Sequence, residues 1–403
     1  MNIIFLTLSN INSIYDSNIY TDLLQEFAKN GHGVYIVSPS ERRNNKSTQI
    51  IEEDICKILK VKVGNIQKTN IFEKGVSTIL LERNYKTAIK NHFSNIKFDL
   101  VIYSTPPITL GSAVKYIKTR DHAKTYLLLK DIFPQNAVDL GMFNKNGIKS
   151  ILYKYFRSKE KKLYGLSDYI GCMSQANVDF IVKNNANISP DIVEVCPNSI
   201  KPLVIYKDNK KIKEVREKYN IPIDKTVFIY GGNLGKPQGI DFLIECLNAN
   251  KTNEQVYFII AGSGTEYNKL KIYFDLKKPL NAQLFRHLPK KDYEILANSC
   301  DVGLIFLDKR FTIPNFPSRL LSYMEASMPT LAATDINTDI GMVIEKGEFG
   351  YWCESNDVEE FTKKVQQLCD TELRKQMGVN ARRYLEDNYT VRHSYEIIMN
   401  HLE

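Results

Sequence analysis

Short apolar runs alternate with amphipathic stretches along most of this chain. The first run, residues 3–8 (IIFLTL), is followed by residues 21–39, where apolar positions at helical spacing give way at Asn30 and Gly31 to a second apolar run. Buried strands that alternate with helices are typical of a parallel sheet covered by helices on both faces. The pattern therefore predicts a doubly wound α/β fold. The later apolar runs of the first half are residues 98–107, 125–134 and 169–174.

Polar residues and prolines follow several of these predicted strands. In a doubly wound sheet, ligands bind beyond the carboxyl ends of the strands. We therefore expect residues 9–13, 104–107 and 130–134 to line one crevice of the first domain.

A segment rich in proline and polar residues, 196–211, interrupts the alternation, and a second α/β series begins after it. We place the domain boundary there, with an N-terminal domain at 1–198 and a C-terminal domain at 199–380. Residues 370–403 are predicted to be helical throughout, and the part at 381–403 to pack back on the N-terminal domain. Two Rossmann-like domains of this kind would face a central cleft, which suits an enzyme with two substrates, although layout alone does not give function.

Length and composition limit the class of protein. A chain of 403 residues suits two domains of roughly 150–200 residues each. The seven cysteines are scattered and form no C-x-x-C pair, which is typical of reduced cytoplasmic thiols and not of a disulfide framework or a zinc site. No apolar run reaches the ~18–20 residues of a membrane span, and the first run has no basic leader. We therefore expect a cytoplasmic protein whose first run is a strand and not a signal peptide.

The net charge of +8 lies entirely in the first half of the chain. Residues 1–199 hold 26 Lys and Arg against 18 Asp and Glu, whereas residues 200–403 hold 28 of each kind. Residues 145–163 alone carry seven basic residues and one acidic residue. Such a segment suits an anionic lipid surface, a phosphate or a nucleic acid; the alternative is a solvated lysine-rich helix.

Two glycine-rich turns follow neighbouring predicted strands of the second domain. Residues 229–239 (IYGGNLGKPQG) read as strand, turn and helix, and residues 261–264 (AGSG) follow the next strand in the same way. Glycines let the backbone approach a ligand, and free N–H groups with a helix dipole favour an anion. Neither stretch is a Walker loop or a G-x-G-x-x-G motif, so the alternative is a tight strand-to-helix turn. If both bind a ligand, they open on one crevice, where Lys236 adds a positive charge.

Residues 311–335 contain a predicted helix start. Pro317 is tolerated in a first helical turn, where its missing N–H has no partner. Ser318, Arg319 and Leu320 would then present N–H groups without partners, and the Arg319 guanidinium is a bidentate phosphate donor. One turn further on, Ser322 and Glu325 would share a helix face and reach ribose hydroxyls. The segment is a candidate diphosphate site; the alternative is a polar helix start on the surface.

At these motifs the chain resembles the retaining GT-B glycosyltransferases of family 4, which use nucleotide sugars. It is most similar to bacterial capsule and O-antigen transferases that add N-acetyl-fucosamine to a lipid-linked saccharide. The resemblance covers nearly the whole chain, and the order of the motifs carries it. The matching stretches are NGHGVYIVSP, KDIFPQNAVDLGMF, CPNSI, GGNLGKPQGIDFLIECL, AGSG and LPKKDYEILANSCDVGLIFL.

The chain departs from the family's E-x7-E motif, because the two Glu positions fall on Pro314 and Ser322. The segment instead resembles a P-S-[KR] variant of that motif. In this variant Ser318 and Arg319 take the phosphate end, and either Glu325 or Ser322 replaces the ribose contact.

The resemblance implies a retaining transferase that moves an N-acetylated sugar, with N-acetyl-fucosamine as the first candidate, from a UDP-sugar to a polyprenyl-diphosphate-linked saccharide during capsule or O-antigen synthesis. It also implies same-face attack, in which the leaving phosphate takes the acceptor proton, without a cofactor or a metal. An acceptor of this kind, together with the basic segment, would place the enzyme on the inner face of the plasma membrane.

The candidate site residues follow from these motifs and from the resemblance. Lys130 and Asp131 would face the reacting sugar, and the uracil would lie near Arg286 and Leu288. The catalytic candidates are Lys130, Asp131, Lys236 and Arg319. The donor-binding candidates are Gly231, Gly232, Asn233, Gly262, Ser263, Gly264, Arg286, Leu288, Ser318, Ser322 and Glu325. The acceptor-binding candidates are Ser9, Asn12, Ser13 and Pro134.

Two alternative functions remain open. A GT-B UDP-sugar epimerase would share the two-domain layout and would convert its donor without any acceptor. A nucleic-acid-binding protein would use the basic half of the chain and bind in a salt-dependent way. The chain lacks basic strands interleaved with aromatic residues, and we therefore expect no nucleic-acid partner.

Overall fold

Strands and helices alternate along the computed structural model, which describes residues 1–66, 71–147, 150–205 and 208–402. They divide into two units. Met1–Lys201 together with Thr390–Glu403 form the first unit, and Pro202–Tyr389 form the second. Each unit is built on one sheet. The predicted α/β class with two sheet domains is therefore confirmed.

The first unit carries a sheet with strand order β3-β4-β2-β1-β5-β6-β7-β8. Its strands are β1 (Asn2–Leu6), β2 (Gly33–Glu41), β3 (Gln49–Glu53), β4 (Cys56–Val63), β5 (Leu100–Ser104), β6 (Lys124–Leu129), β7 (Tyr169–Cys172) and β8 (Val193–Val195). Its helices before the linker are α1 (Thr21–Lys29), α2 (Ile71–His92), α3 (Gly111–Asp121), α4 (Gln135–Asp139), α5 (Ser150–Leu166) and α6 (Gln175–Asn184).

The β3–β4 pair is the exception to the predicted parallel sheet. These two strands are antiparallel, with Ile51 opposite Ile58, whereas the other neighbouring strands of the sheet are parallel. The two residues between β3 and β4 are too few for the crossover that parallel strands need, so the pair forms a hairpin at the sheet edge.

The second unit carries a parallel sheet with strand order β11-β10-β9-β12-β13-β14. Its strands are β9 (Thr226–Asn233), β10 (Val256–Ser263), β11 (Ala282–Phe285), β12 (Val302–Phe306), β13 (Thr330–Thr334) and β14 (Gly350–Glu354). Its helices are α7 (Asn209–Lys218), α8 (Ile240–Ala249), α9 (Tyr267–Lys277), α10 (Lys290–Asn298), α11 (Arg319–Glu325), α12 (Ile340–Lys346), α13 (Val358–Gln367) and α14 (Thr371–Asn388). Apolar side chains of β9, β10 and β12 form the centre of its core.

The C-terminal segment is not one continuous helix, so the prediction for residues 370–403 is wrong. Helix α14 ends at Asn388, and α15 (Val391–Met399) begins after Thr390. The chain is extended at this break because the Val391 N–H donates to the Ile200 carbonyl at 3.0 Å. Helix α15 packs on α1, where the Tyr395 and Phe27 rings lie 4.9 Å apart.

The two units divide after residues 201 and 389, where the sequence predicts boundaries after residues 198 and 380. The predicted second boundary falls inside α14, which is unbroken from Thr371 to Asn388. The final segment that belongs to the first unit is therefore shorter than predicted and consists mainly of α15.

Candidate functional site

The predicted donor segments lie side by side at the carboxyl edge of the second sheet. Arg286 directly follows β11, Ser263 ends β10 and Asn233 ends β9, while Arg319 lies in the segment between β12 and β13. These strands are neighbours in the order β11-β10-β9-β12. The edge is where parallel α/β sheets bind ligands. The fold therefore brings these predicted segments together within one unit.

Arg286 and Leu288 occupy the outer end of this edge. Arg286 is exposed, and its guanidinium carbon lies 5.4 Å from the centre of the Tyr267 ring. Leu288 is half-buried two residues later. A flat base could pack here, but the role of both residues stays a prediction.

The two glycine-rich stretches pack directly on each other. Strand β9 extends through Gly232 and Asn233, which pair with Gly262 and Ser263 of β10, so the turn of the first stretch lies after Asn233. A Cβ at Gly262 would lie 1.9 Å from the Gly232 carbonyl oxygen, and one at Gly264 would lie 2.3 Å from the Leu234 oxygen. Gly262 and Gly264 therefore have a packing reason to be glycine, and their contact with a donor stays a prediction.

The turn after Asn233 leaves Lys236 exposed. The Gln238 side-chain oxygen accepts hydrogen bonds from the Asn233 amide at 2.9 Å and from the Gly235 N–H at 3.1 Å. Lys236 starts the short 3-10 helix Lys236–Gln238. Among the described residues its ammonium has no hydrogen-bond or ionic partner. It is therefore a cation available to a ligand at this edge.

Arg319 lies against the end of β9. Its Nη1 donates to the Gly231 carbonyl at 2.8 Å, and its guanidinium carbon lies 4.3 Å from the centre of the Tyr230 ring. Gly232 has a φ of +130°, and a Cβ there would lie 3.2 Å from Nη2 of Arg319. Glycine is thus favoured at position 232 both by the positive φ and by the small space beside the Arg319 guanidinium. The arrangement places a half-buried guanidinium beside the carboxyl end of the strand.

Three tyrosines surround this guanidinium, and the sequence interpretation missed them. The Tyr230 hydroxyl donates to the Asn233 carbonyl at 2.7 Å, and the buried Tyr323 hydroxyl lies within hydrogen-bond distance of two strand carbonyls. A Cβ at Gly231 would lie 1.9 Å from the Tyr293 hydroxyl. Burial raises the pKa of Tyr293 to about 12. These rings stay neutral at physiological pH and form an aromatic wall that orients the cation.

The helix that carries Arg319 differs from the prediction. It begins at Arg319 with Ser318 as its N-cap, and it has seven residues. The Leu320 N–H donates to the Pro317 carbonyl at 3.2 Å, so the prediction that this N–H lacks a partner is wrong. The N–H groups of Ser318 and Arg319 have no acceptor among the residues that the structure describes. The guanidinium, more than the short helix, is therefore the candidate group for binding an anion here.

Glu325 is engaged within the second unit. Its carboxylate accepts from the Leu203 N–H at 2.8 Å, and Arg382 donates to the carbonyl oxygens of Leu203 at 2.6 Å and Glu325 at 3.3 Å. Ser322 is exposed on the same helix. Glu325 therefore has a structural role at the end of the helix. The ribose contact predicted for Glu325 or Ser322 stays a prediction.

In the first unit, Lys130 and Asp131 follow β6 and share a backbone anchor. The Thr105 hydroxyl oxygen accepts the N–H of Lys130 at 3.0 Å and that of Asp131 at 3.3 Å. The Lys130 ammonium donates to the Cys196 carbonyl at 3.1 Å, and burial lowers the pKa of Lys130. The Asn136 amide donates to both Asp131 oxygens, at 2.8 and 3.0 Å, while burial raises the pKa of Asp131 to about 6. Each side chain is thus held by its own partner.

The acceptor candidates lie at the same edge, because β1, β5 and β6 are neighbours. The Ser9 N–H donates to the Thr7 hydroxyl at 3.1 Å, and the Ser104 hydroxyl donates to the same oxygen at 3.1 Å. Asn12 is exposed and Ser13 half-buried, whereas Pro134 is buried at the start of α4. The first sheet therefore gathers these residues, and their ligand stays a prediction.

Within the described part of the chain, no group of three or more His, Cys, Asp or Glu side chains is placed to hold a metal ion. In the same residues, no helix combines the length and the apolar character that crossing a bilayer requires.

Comparisons with known proteins identify the class of protein. A family model described as "Glycosyl transferases group 1" matches residues 211–384. The probable glycosyltransferase WbjE of Pseudomonas aeruginosa is 25% identical over 298 residues, which cover 72% of this chain and 71% of that protein. The putative colanic acid biosynthesis glycosyl transferase WcaI of Escherichia coli is 19% identical over 253 residues, which cover 62% and 60%. The structure of Anabaena HepE in complex with UDP and glucose superimposes with a TM-score of 0.71 at 15% identity, and covers 100% of this chain and 99% of that one.

The fold and these matches define a transferase enzyme with the GT-B fold. More particularly, the protein is a glycosyltransferase whose residues 211–384 match the group 1 family, and the relatives support that assignment. The prediction of a glycosyltransferase is thereby confirmed at this level.

Proposed function

We propose that this enzyme is a retaining glycosyltransferase that moves an N-acetylated sugar, with N-acetyl-fucosamine as the first candidate, from a UDP-sugar to a polyprenyl-diphosphate-linked saccharide. The single observation that carries the proposal is the Arg319 guanidinium held beside Gly232 at the carboxyl end of β9. A planar guanidinium matches phosphate oxygens in geometry and charge, so this position suits the diphosphate of a nucleotide sugar.

The chemistry needs a group that stabilises the leaving diphosphate. In the proposed step the bond between the sugar C1 and the phosphate oxygen breaks, and a bond forms between C1 and the acceptor hydroxyl oxygen on the same face. The acceptor proton passes to the departing phosphate. Arg319 and the exposed Lys236 would hold the negative charge that builds up there, which is why the proposal includes no metal or cofactor.

The relatives support the sugar-polymer context of this proposal. WcaI is named for colanic acid biosynthesis, and HepE was crystallised with UDP and glucose. By analogy we assign this chain to the synthesis of a surface polysaccharide such as a capsule or O-antigen, with UDP as the nucleotide. The acceptor would bind the first unit near Ser9, Asn12, Ser13 and Pro134, beside Lys130 and Asp131.

A ligand panel tests the proposal. We expect UDP and UDP-N-acetyl sugars to raise the melting temperature, because a ligand at 100 times its dissociation constant adds about 2.7 kcal/mol to the free energy of unfolding. GDP, ADP, NAD and a duplex oligonucleotide serve as controls and should give no shift. A shift with the oligonucleotide alone would favour the nucleic-acid alternative. Conversion of a UDP-sugar without an acceptor would favour the epimerase.

The proposal also places the enzyme on the anionic inner face of the plasma membrane, through α5 of the first unit. Arg157 and Lys159 are paired with Glu160 and Glu82, so they do not add free charge. Other side chains of this region are exposed: the basic Lys145, Lys154, Lys161 and Lys162, and the apolar Met142, Ile151 and Leu152. Basic residues beside exposed apolar ones suit a surface of anionic lipid.

Reversing two of these charges tests the membrane surface. We expect Lys161→Glu with Lys162→Glu to weaken binding to phosphatidylglycerol vesicles by about tenfold or more at low salt, since each basic residue contributes about 1 kcal/mol near such a surface. Lys210→Glu with Lys211→Glu is the matched control, because these are also adjacent exposed lysines on a helix, α7. Equal sedimentation of both double variants and the parent would contradict the membrane proposal.

A further inference from the structure

Lys60 is a buried lysine next to the loop that follows β1. It lies in β4 and is only 5% exposed. Its ammonium donates to the Asn10 side-chain oxygen at 2.6 Å, to the Ile11 carbonyl at 2.9 Å and to the Ser38 hydroxyl at 3.1 Å. A lysine ammonium has three protons, so all of them are used inside the protein. No carboxylate of the described residues lies within ion-pair distance of it.

A buried cation without a counter-ion is rare, because burial of a charge is costly unless the charge is paired. The strands on either side present Ser38 from β2 and Gln49 from β3, neither of which titrates. Lys46 is the charged neighbour that acts on Lys60. Burial, reinforced by Lys46, lowers the pKa of Lys60 to about 8. Burying a neutral residue at this position would cost less free energy, so we expect the ammonium to have a structural role.

The ammonium and its partner Ser38 both bind the loop that follows β1. The Ser38 hydroxyl donates to the Ser9 carbonyl at 2.8 Å and accepts the Ile11 N–H at 2.9 Å. Lys60 and Ser38 thus hold residues 9–11 by hydrogen bonds to four groups of this segment. These are the Ser9 carbonyl, the Asn10 side-chain oxygen, and the N–H and the carbonyl of Ile11. A separate anchor follows, where the Ile14 N–H donates to the Glu53 carboxylate at 2.8 Å.

We propose that Lys60 is a positioning residue for the acceptor site: its ammonium fixes residues 9–11 in the shape that presents Ser9, Asn12 and Ser13 to an anionic polyprenyl diphosphate. This inference rests on the proposed function. Lys60 acts through the loop and not on the ligand, because its protons are fully used by Asn10, Ile11 and Ser38.

Hydrogen exchange of two backbone amides tests the positioning directly. The Ile11 amide reports on the Lys60 contacts, while the Ile14 amide, bonded to Glu53, is an internal control. We expect Lys60→Met and Ser38→Ala each to lower the protection of Ile11 by about tenfold or more relative to Ile14. Ser38→Ala removes the acceptor of the Ile11 N–H itself, so it sets the loss of protection expected when this contact is broken. If Lys60→Met fails to fold, the pH dependence of the parent enzyme answers the question. Val61→Ala, a buried change in the same strand, should leave the Ile11 to Ile14 ratio unchanged.

The same ratio should depend on pH in the parent enzyme. Above pH about 8 the neutral amine has two protons for three acceptors, so we expect Ile11 protection to fall relative to Ile14 between pH 7 and 9. The pKa in the folded protein lies below its ordinary value of 10.5, so the unfolded chain binds more protons between these values. The contribution of Lys60 to the free energy of unfolding therefore rises across this window. Loosening of the loop at rising pH would thus be a local change and not a loss of global stability. The pH dependence of the Ile11 to Ile14 ratio should be absent in Lys60→Met.

Binding of a short-chain polyprenyl diphosphate completes the test, with UDP as the second ligand. We expect the dissociation constant for the polyprenyl diphosphate to rise about tenfold or more in Lys60→Met and Ser38→Ala, with UDP binding unchanged. If the parent binds UDP but not the polyprenyl diphosphate, the proposed acceptor is wrong and the inference falls with it. If the parent binds both and Lys60→Met keeps its affinity and its Ile11 protection, Lys60 has no positioning role and the proposed function stands.

Discussion

Replacing Arg319 by alanine is expected to weaken UDP binding by at least about tenfold, since a hydrogen bond to a charged group contributes about 1.5–3 kcal/mol. Where transfer can be assayed, kcat should fall by about 10²–10³, because the charge on the leaving diphosphate builds up in the transition state. The fold should persist, since Arg319 is half-buried and its guanidinium donates to a single backbone carbonyl, that of Gly231, among the residues that the structure describes. Isothermal titration with UDP measures the first effect, and circular dichroism checks the fold.

Two further variants make this result specific. Arg319→Lys keeps the charge but loses the fork of donors, so it should recover part of the UDP affinity and less of kcat. Arg310→Ala is the matched control, because Arg310 is an exposed arginine of the same unit that is paired with Asp308 at 2.7 Å. It should bind UDP as the parent does. If Arg319→Ala also binds UDP as tightly as the parent, Arg319 does not hold the diphosphate, and the central observation behind the proposed function loses its meaning.

The positions of several strands along the chain were predictable from apolar runs, because largely buried strands such as β9 and β10 leave a continuous signal. The β3–β4 hairpin was not. The side chains of β3 are half-exposed or exposed, so its pattern is weak, and the two residues that join it to β4 are not a recognised hairpin pair. Edge elements of this kind are decided by tertiary pairing more than by local composition.

The break between α14 and α15 shows a second limit. Tyr389 and Thr390 do not stop a helix as proline or glycine would, and the flanking residues suit a helix. The chain leaves the helical path because the Val391 N–H bonds to Ile200, almost two hundred residues earlier in the sequence. A partner at that distance along the chain leaves no local pattern.

The residues of the candidate site also fall into those that the sequence indicates and those that only the structure reveals. Arg319 and the glycines of β9 could be proposed from residue type and from their position after predicted strands. The tyrosine wall could not, because Tyr230 lies in a buried strand and reads as core, and Tyr293 reaches Gly231 from α10. The contact of Glu325 with Leu203 was equally hidden, since any residue can offer a backbone N–H. The candidate residues were visible in the sequence, whereas the side chains that pack around them were not.

Replacing Gly262 by alanine should damage the donor site through the backbone alone. The new Cβ would lie 1.9 Å from the Gly232 carbonyl oxygen, and a strand backbone cannot turn away as a flexible side chain can. The ends of β9 and β10 must separate, and overpacking of this kind typically costs about 1–3 kcal/mol of stability. Gly232 lies against Arg319, so the same shift should also lower UDP affinity, by about tenfold if the guanidinium contact is lost.

A second glycine of the same sheet separates these two effects. A Cβ at Gly350 would lie 1.9 Å from the Thr330 carbonyl oxygen, where β14 pairs with β13 at the far edge of the sheet. Gly350→Ala should therefore lose a similar amount of stability in urea unfolding but keep the UDP dissociation constant of the parent. Gly262→Ala should lose both. If the two variants lose stability equally and both keep UDP affinity, the paired ends of β9 and β10 do not shape the donor site, and Arg319 must reach the diphosphate without help from Gly232.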